Sequence, residues 1–278
     1  MDWNKTKTIF IILFSILNVF LYSVYLKAHN ETLNVQTLGK MSIEDSLKLD
    51  NIKVVELPDY NEDAYYVSSE VATITEEQIS SLENQFVSLI NDTELVVKMD
   101  KPVRIKDSKG NYNLREFLLK YVLNGEEYTL WNIDEDKEEA LFFQMVNKSP
   151  IYFNRNAMLR IHWNESGEVT GYEQRMFGKF VSFNRKKDLL TPLQAINTLN
   201  NRNYLQPDSK VIEVSLGYST LVQLTKNQVF APTWRIRVEL SDEEIEDYFV
   251  NAIEGKVIEL QSEEKQEELK ELEDDEEE

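Results

Sequence analysis

The residues that could do chemistry come in a few clusters, and each lacks a part that its chemistry needs. Asp134, Asp136, Glu138 and Glu139 crowd one short stretch. Alternating carboxylates of this kind can ligate calcium, but an EF-hand loop also needs a glycine at its sixth position and a glutamate at its twelfth. Neither is present, so the stretch reads as a solvated turn. Asp242 to Asp247 (DEEIED) reads the same way, as a polar hairpin turn. Ser262-Glu263-Glu264-Lys265 matches the SxxK pattern of penicillin-recognising enzymes, yet it sits in a charged tail without an SDN or KTG partner. The two histidines, His29 and His162, are 133 positions apart, so there is no HExxH helix. His162 is opposite in phase to Ile161 and Trp163 on an alternating segment, which reads as a surface position on a strand.

Composition removes further classes. There is no Cys, hence no disulfide framework, thiolate nucleophile or zinc knuckle. The eight glycines form neither a GxGxxG nor a GxxxxGK[ST] phosphate loop. With 50 acids against 30 Lys and Arg the net charge is −20, and a nucleic-acid partner calls for the opposite sign. The charge is uneven: residues 263–278 hold eleven acids and two lysines, a net −9, and read as a disordered acidic tail over 261–278. No cofactor and no metal is expected. The chain reads as a binding or regulatory protein rather than an enzyme.

Ile9 to Leu26 is a run of 18 residues without a charge. As a helix it would be about 27 Å long, close to the roughly 30 Å of a bilayer's hydrocarbon core. Lys5 and Lys7 precede it, so residues 1–8 are expected in the cytoplasm and everything after Lys27 outside. The segment before Ala28 has bulky residues where signal-peptide cleavage needs small ones, which favours a retained single-pass anchor. Ser15, Asn18, Tyr22 and Tyr25 are spaced by 3, 4 and 3 and share one helical face. A mid-span amide is costly alone, so this face is a candidate contact for a partner helix. Alternatively the tyrosines serve only the interface and Asn18 is tolerated unpaired.

Beyond a polar juxtamembrane linker, 27–41, the elements alternate. Ser42 caps a short helix, and IKVVEL and Ala64–Ile74 have strand composition. Thr75 and Gln78 form a capping box, followed by Ile79, Leu82, Phe86 and Leu89 at helical spacing. A strand near Glu94–Met99 precedes a helix capped by Asn113, and EYTLWNI and EALFFQMV flank the turn DEDKE. Met158–Trp163 and EVTGYEQRMF flank a hairpin turn, Asn164 to Gly167. Thr191-Pro192 opens another helix. VIEVSLGY, PTWRIRVEL and DYFVNAIEGKVIEL follow, the last with its own turn at Glu254-Gly255. Trp234, Ile236 and Val238 share one strand face, the natural core side. The prediction is an α+β fold: a single transmembrane helix, 9–26, then two modules, 42–149 and 150–260, each an antiparallel sheet carrying helices, with the boundary near Ser149-Pro150.

Five strings occur in order: MDWNKTKTIFIILF at the start, GYEQ (171–174), PLQAINTL (192–199), LGYSTLVQLTKNQVFAPTWRI (216–236) and YFVNAIEGKV (248–257). Together they resemble the YycI (WalI) family from Met1 to about Leu260. The resemblance implies a single-pass protein of the cell membrane in low-GC Gram-positive bacteria. It implies association with YycH and with the sensor histidine kinase YycG (WalK), whose response regulator controls cell-wall metabolism. Transmembrane helices are part of that contact, the extracytoplasmic modules are YycH-like, and no catalytic residue transfers. The C-terminal strand–turn pattern also resembles PepSY-like modules, which keeps open an extracytoplasmic inhibitor or ligand-binding module.

Overall fold

The computed structural model describes residues 7, 10–11, 13–23, 42–60, 65–107, 109–183, 188–222 and 226–259. The chain forms two units, Met1–Leu49 and Asp50–Glu278. In the first, residues 13–23 are helical, and helix α1 (Ile43–Leu49) begins as expected at Ser42, whose Oγ accepts from the Asp45 N–H at 3.1 Å. The linker 27–41 and the tail 261–278 lie outside the described residues.

The second unit opens with β1 (Lys53–Val54), β2 (Val67–Glu70) and helix α2 (Glu76–Ser80). A hairpin of β3 (Gln85–Ile90) and β4 (Glu94–Arg104) leads to helix α3 (Leu114–Tyr121). Then come β5 (Tyr128–Asp134), β6 (Glu139–Val146), β7 (Ser149–Pro150), β8 (Met158–Trp163), β9 (Glu168–Arg175) and β10 (Val181–Ser182). Helix α4 (Pro192–Asn201) precedes β11 (Lys210–Val222), β12 (Asn227–Glu239), β13 (Ile245–Asn251) and β14 (Val257–Ile258).

These strands make two sheets. Sheet I has the order β3-β4-β9-β8-β6-β5, with β7 added on β6, and is antiparallel throughout. Sheet II has the order β1-β11-β12-β13-β14, with β2 pairing the first part of β12 and β10 pairing β2. Only its β1–β11 pair is parallel among the described strands. The α+β class of two sheets with helices therefore holds.

The sheets do not divide the chain in sequential halves, and this corrects the boundary expected at Ser149-Pro150. β8 and β9 follow that point but pair with β6 and β4, whereas β1 and β2 precede it but belong to sheet II. The dipeptide is β7 itself, hydrogen-bonded into sheet I, and the next residue, Ile151, bridges to Tyr218 on β11. Asn147 and Lys148 take φ of 51° and 67° and so return β7 onto β6 in a two-residue turn. The segment is where one sheet is spliced to the other.

A second correction concerns Ile79 to Leu89. The capping box is present, with Thr75 Oγ1 accepting from the Gln78 N–H at 3.3 Å and Gln78 Oε1 accepting from the Thr75 N–H at 2.9 Å. The helix nevertheless ends at Ser80, and Asn84 at φ 60° turns the chain into β3. Val87 and Leu89 then face the core while Phe86 is 65% exposed. Phe86 and Leu89 keep the helical spacing while Val87 and Leu89 alternate at the strand period, and the six-residue pairing of β3 with β4 decides between them. Asn113 also departs from expectation: it precedes α3, but its side chain makes no capping bond and donates to Glu116 instead.

The inner face of sheet I buries Leu95, Val97, Leu159, Ile161 and Tyr172 under Leu114, Phe117 and Leu118 of α3. On sheet II, Trp234, Ile236 and Val238 are all fully buried, as their alternation requires. Trp234 Nε1 donates to the Leu190 carbonyl at 2.9 Å, just ahead of α4. That helix carries a second capping box, Thr191 with Gln194, and buries Ala195, Ile196 and Leu199.

Candidate functional site

The helical residues near the N-terminus have no apolar stripe, because they are apolar all round. The ten large apolar side chains described between Phe10 and Tyr22 are each between 45% and 69% exposed. Ser15, Asn18 and Tyr22 lie in the helical run and are exposed too, and Tyr25 lies outside the described residues. Ser23 Oγ donates back to the Phe20 carbonyl at 2.8 Å, satisfying its hydroxyl within the helix. Among the described residues no helix is long and apolar enough to cross a membrane. The expected span, 9–26, extends past Ser23, the last described helical residue of this run.

The carboxylate clusters do not converge. Asp134 Oδ1 accepts from the N–H groups of Asp136 and Lys137 at 3.1 and 2.9 Å, which folds the turn between β5 and β6. Glu138 occupies a left-handed position at φ 53°. Glu139 faces across to β8, 3.6 Å from Arg160 Nε and 3.8 Å from His162 Nδ1. His162 is itself partly exposed on that strand, the surface position that alternation predicts. Among the described residues no group of three or more His, Asp and Glu side chains could hold a metal ion. His29 and Ser262 to Lys265 lie outside the described residues.

The DEEIED segment is less uniform than its composition. Its turn ends at Glu244, and Asp247 stands inside β13. There it takes Arg235 in a two-point grip, Nε to Oδ1 at 2.7 Å and Nη2 to Oδ2 at 2.9 Å. The same guanidinium lies 4.0 Å from the Trp131 ring centroid. Paired on one side and stacked on the other, Arg235 joins sheet II to β5 of sheet I. Tyr152, Phe153 and Phe249 extend this seam, with Tyr152 5.0 Å from Phe249 and Trp131 5.1 Å from Phe153. Sequence reading gives Asp247 to the turn and does not find this seam, since its members are far apart along the chain.

One of the strings that carry the family resemblance is occupied in packing. In GYEQ, a Cβ on Gly171 would meet the Val97 carbonyl oxygen at 2.3 Å. Tyr172 Oη donates to the Tyr121 carbonyl at 2.8 Å, and Gln174 Nε2 donates to the Leu123 carbonyl at 2.6 Å. These bonds satisfy carbonyls freed where α3 ends. Gln144 does comparable work on β6: its Oε1 accepts from the Phe177 N–H at 2.7 Å and its Nε2 donates to Glu127 at 2.9 Å. Both glutamines are buried on the apolar parity of their strands. A polar residue in that phase was the readable signal that they carry structure. The seam and these networks can hold two sheets rigid, and they present no nucleophile beside a base.

The family model described as YycI protein matches residues 30–253. No curated protein matches the chain. Among solved structures, an uncharacterized protein from Eubacterium rectale is similar at 11% identity, over 76% of this chain and 90% of that one, with a TM-score of 0.47. The Bacillus megaterium YpeB C-terminal domain is similar at 16% identity, over 74% and 89%, with a TM-score of 0.37. YycH from Bacillus subtilis is similar at 13% identity, over 69% and 51%, with a TM-score of 0.36.

Proposed function

The chain belongs to the YycI family, and we propose that it is a non-catalytic, membrane-anchored regulator of the YycG (WalK) sensor histidine kinase. In this reading it acts together with YycH, its N-terminus is cytoplasmic and the unit Asp50–Glu278 is extracytoplasmic. The observation that carries the anchor is the helix whose apolar side chains are exposed on every face. A helix that is hydrophobic all round is stable when lipid or other helices surround it. The non-catalytic part is supported by what the acids do: Asp134 folds a turn, and Asp247 and Glu94 bind Arg235 and Arg175.

The test is recovery of partners from membranes with the intact chain and with a form lacking residues 1–27. Kinase and YycH retained by the intact chain and lost from the shorter form is the expected result. Recovery of neither, with a secreted peptidase held by both forms, would replace the regulator with an inhibitor. Protease added to intact protoplasts should digest residues 50–260, and complete protection would overturn the orientation.

A further inference from the structure

Within this acidic chain, residues 98–120 carry seven Lys and Arg against three acids. Elsewhere cations commonly sit beside carboxylates, as do Lys137 with Asp134, Lys210 with Glu239 and Lys256 with Glu254. Inside the stretch, Lys106 has Glu135 at 3.6 Å. Lys98, Lys101, Arg104, Lys109, Arg115 and Lys120 are exposed, and among the described residues none has a carboxylate in ion-pair range. The fold then concentrates part of this charge. Arg104 at the end of β4 and Lys120 on α3 line one hollow, together with Val103, Asn113, Glu116 and Phe117. Arg115 and the 57% exposed Leu119 lie on the outward side of the same helix.

We propose that this basic hollow is the docking site of the chain's own acidic C-terminal segment, residues 263–278. That segment has a net charge of −9, and its Leu269 and Leu272 supply apolar side chains among the acids. The rest of the chain sums to −11, so its net charge repels the segment, whereas the cations at and around the hollow attract it. Reach is not limiting. Twenty residues follow Ile258, and extended they would span about 70 Å, against a radius of gyration of about 17 Å for a body of this size. Being tethered also gives the segment an effective concentration that a free polyanion lacks. The segment lies beyond the family match, which ends at 253, so the contact would be a property of this chain.

The test is zero-length carbodiimide cross-linking of the full chain in detergent at low salt, read by mass spectrometry. Links from acids of 263–278 should concentrate on Lys101, Lys109 and Lys120 rather than on Lys53, Lys148 or Lys210. They should fall on the order of tenfold at about 1 M salt, where the Debye length is about 3 Å. Arg104→Glu with Arg115→Glu should lower them similarly while leaving the lysine reporters and the circular dichroism intact. A mixture of isotopically light and heavy chains should give links within one chain. Links spread evenly over all lysines, or made mainly between chains, would overturn the proposal.

Discussion

The ring of Tyr152 occupies the space in which Gly217 would carry a side chain: a Cβ there would lie 2.3 Å from Tyr152 Cε2. Tyr152 follows β7 of sheet I and Gly217 lies within β11 of sheet II, so the contact interlocks the sheets. Tyr152 also donates its N–H to the Tyr218 carbonyl at 2.8 Å. Two sheets joined by an inserted ring, a backbone bond and the Arg235–Trp131 stack should unfold as one body.

Gly217→Ala forces atoms into a filled space, and overpacking of this kind costs about 1–3 kcal/mol. Urea unfolding should show that loss in a single transition reported by both sheets. In a Tyr152→Ala background the glycine substitution should cost less, though not nothing, because the Pro150 carbonyl oxygen is also 2.7 Å away. An equal cost in both backgrounds would separate the effect from Tyr152.

Gln144→Leu keeps the volume but leaves the Phe177 N–H and the Phe177 carbonyl without their partner. Stranding buried backbone groups costs about 1–3 kcal/mol. Thermal melting should detect the loss, and an unchanged melting temperature would mean that the network is dispensable.

Stability should fall in alkali. Burial pushes the phenols of Tyr128 and Tyr172 upward from 10.0, and that of Tyr152 to about 12. A raised folded pKa means that the native state holds a proton the unfolded chain releases. The contribution is therefore complete below pH 10 and is lost as pH rises from there through 12 and beyond. Urea midpoints measured at pH 8, 10 and 11 should decrease in that order, and constancy to pH 11 would contradict the burial of these rings.

The proposed membrane anchor gives a graded expectation. In hydrocarbon no water satisfies the Asn18 amide, so a partner helix with a hydrogen-bonding group would stabilise association by about 0.6–2 kcal/mol. Asn18→Leu should weaken proximity labelling between this chain and the kinase or YycH. Adding Ser15→Leu and Tyr22→Leu should reduce it much further, while Ile16→Leu with Phe20→Leu should do little. Normal labelling by the triple variant, with insertion verified, would move the contact to the unit Asp50–Glu278.

Local features of the sequence determined local structure. The turn at Asn164 to Gly167, the alternation of β8, the buried run Trp234, Ile236, Val238 and the Thr75–Gln78 box each depend on neighbours within a few residues. The uncharged run near the N-terminus is equally local, and so is the candidate face at Ser15, Asn18 and Tyr22. Tertiary structure decided what periodicity leaves open. Phe86 and Leu89 satisfy a helical spacing while Val87 and Leu89 satisfy a strand spacing, and the hydrogen bonds offered by β4 favour the strand. The allotment of strands to sheets was likewise invisible: β1 pairs with β11, Lys53 beside Lys210, across most of the chain. Backbone hydrogen-bonding groups are the same at every residue but proline, so which strands meet depends on how whole faces bury one another. That is also why Arg235, Trp131 and Asp247 read as separate residues in the sequence and form one seam in the fold.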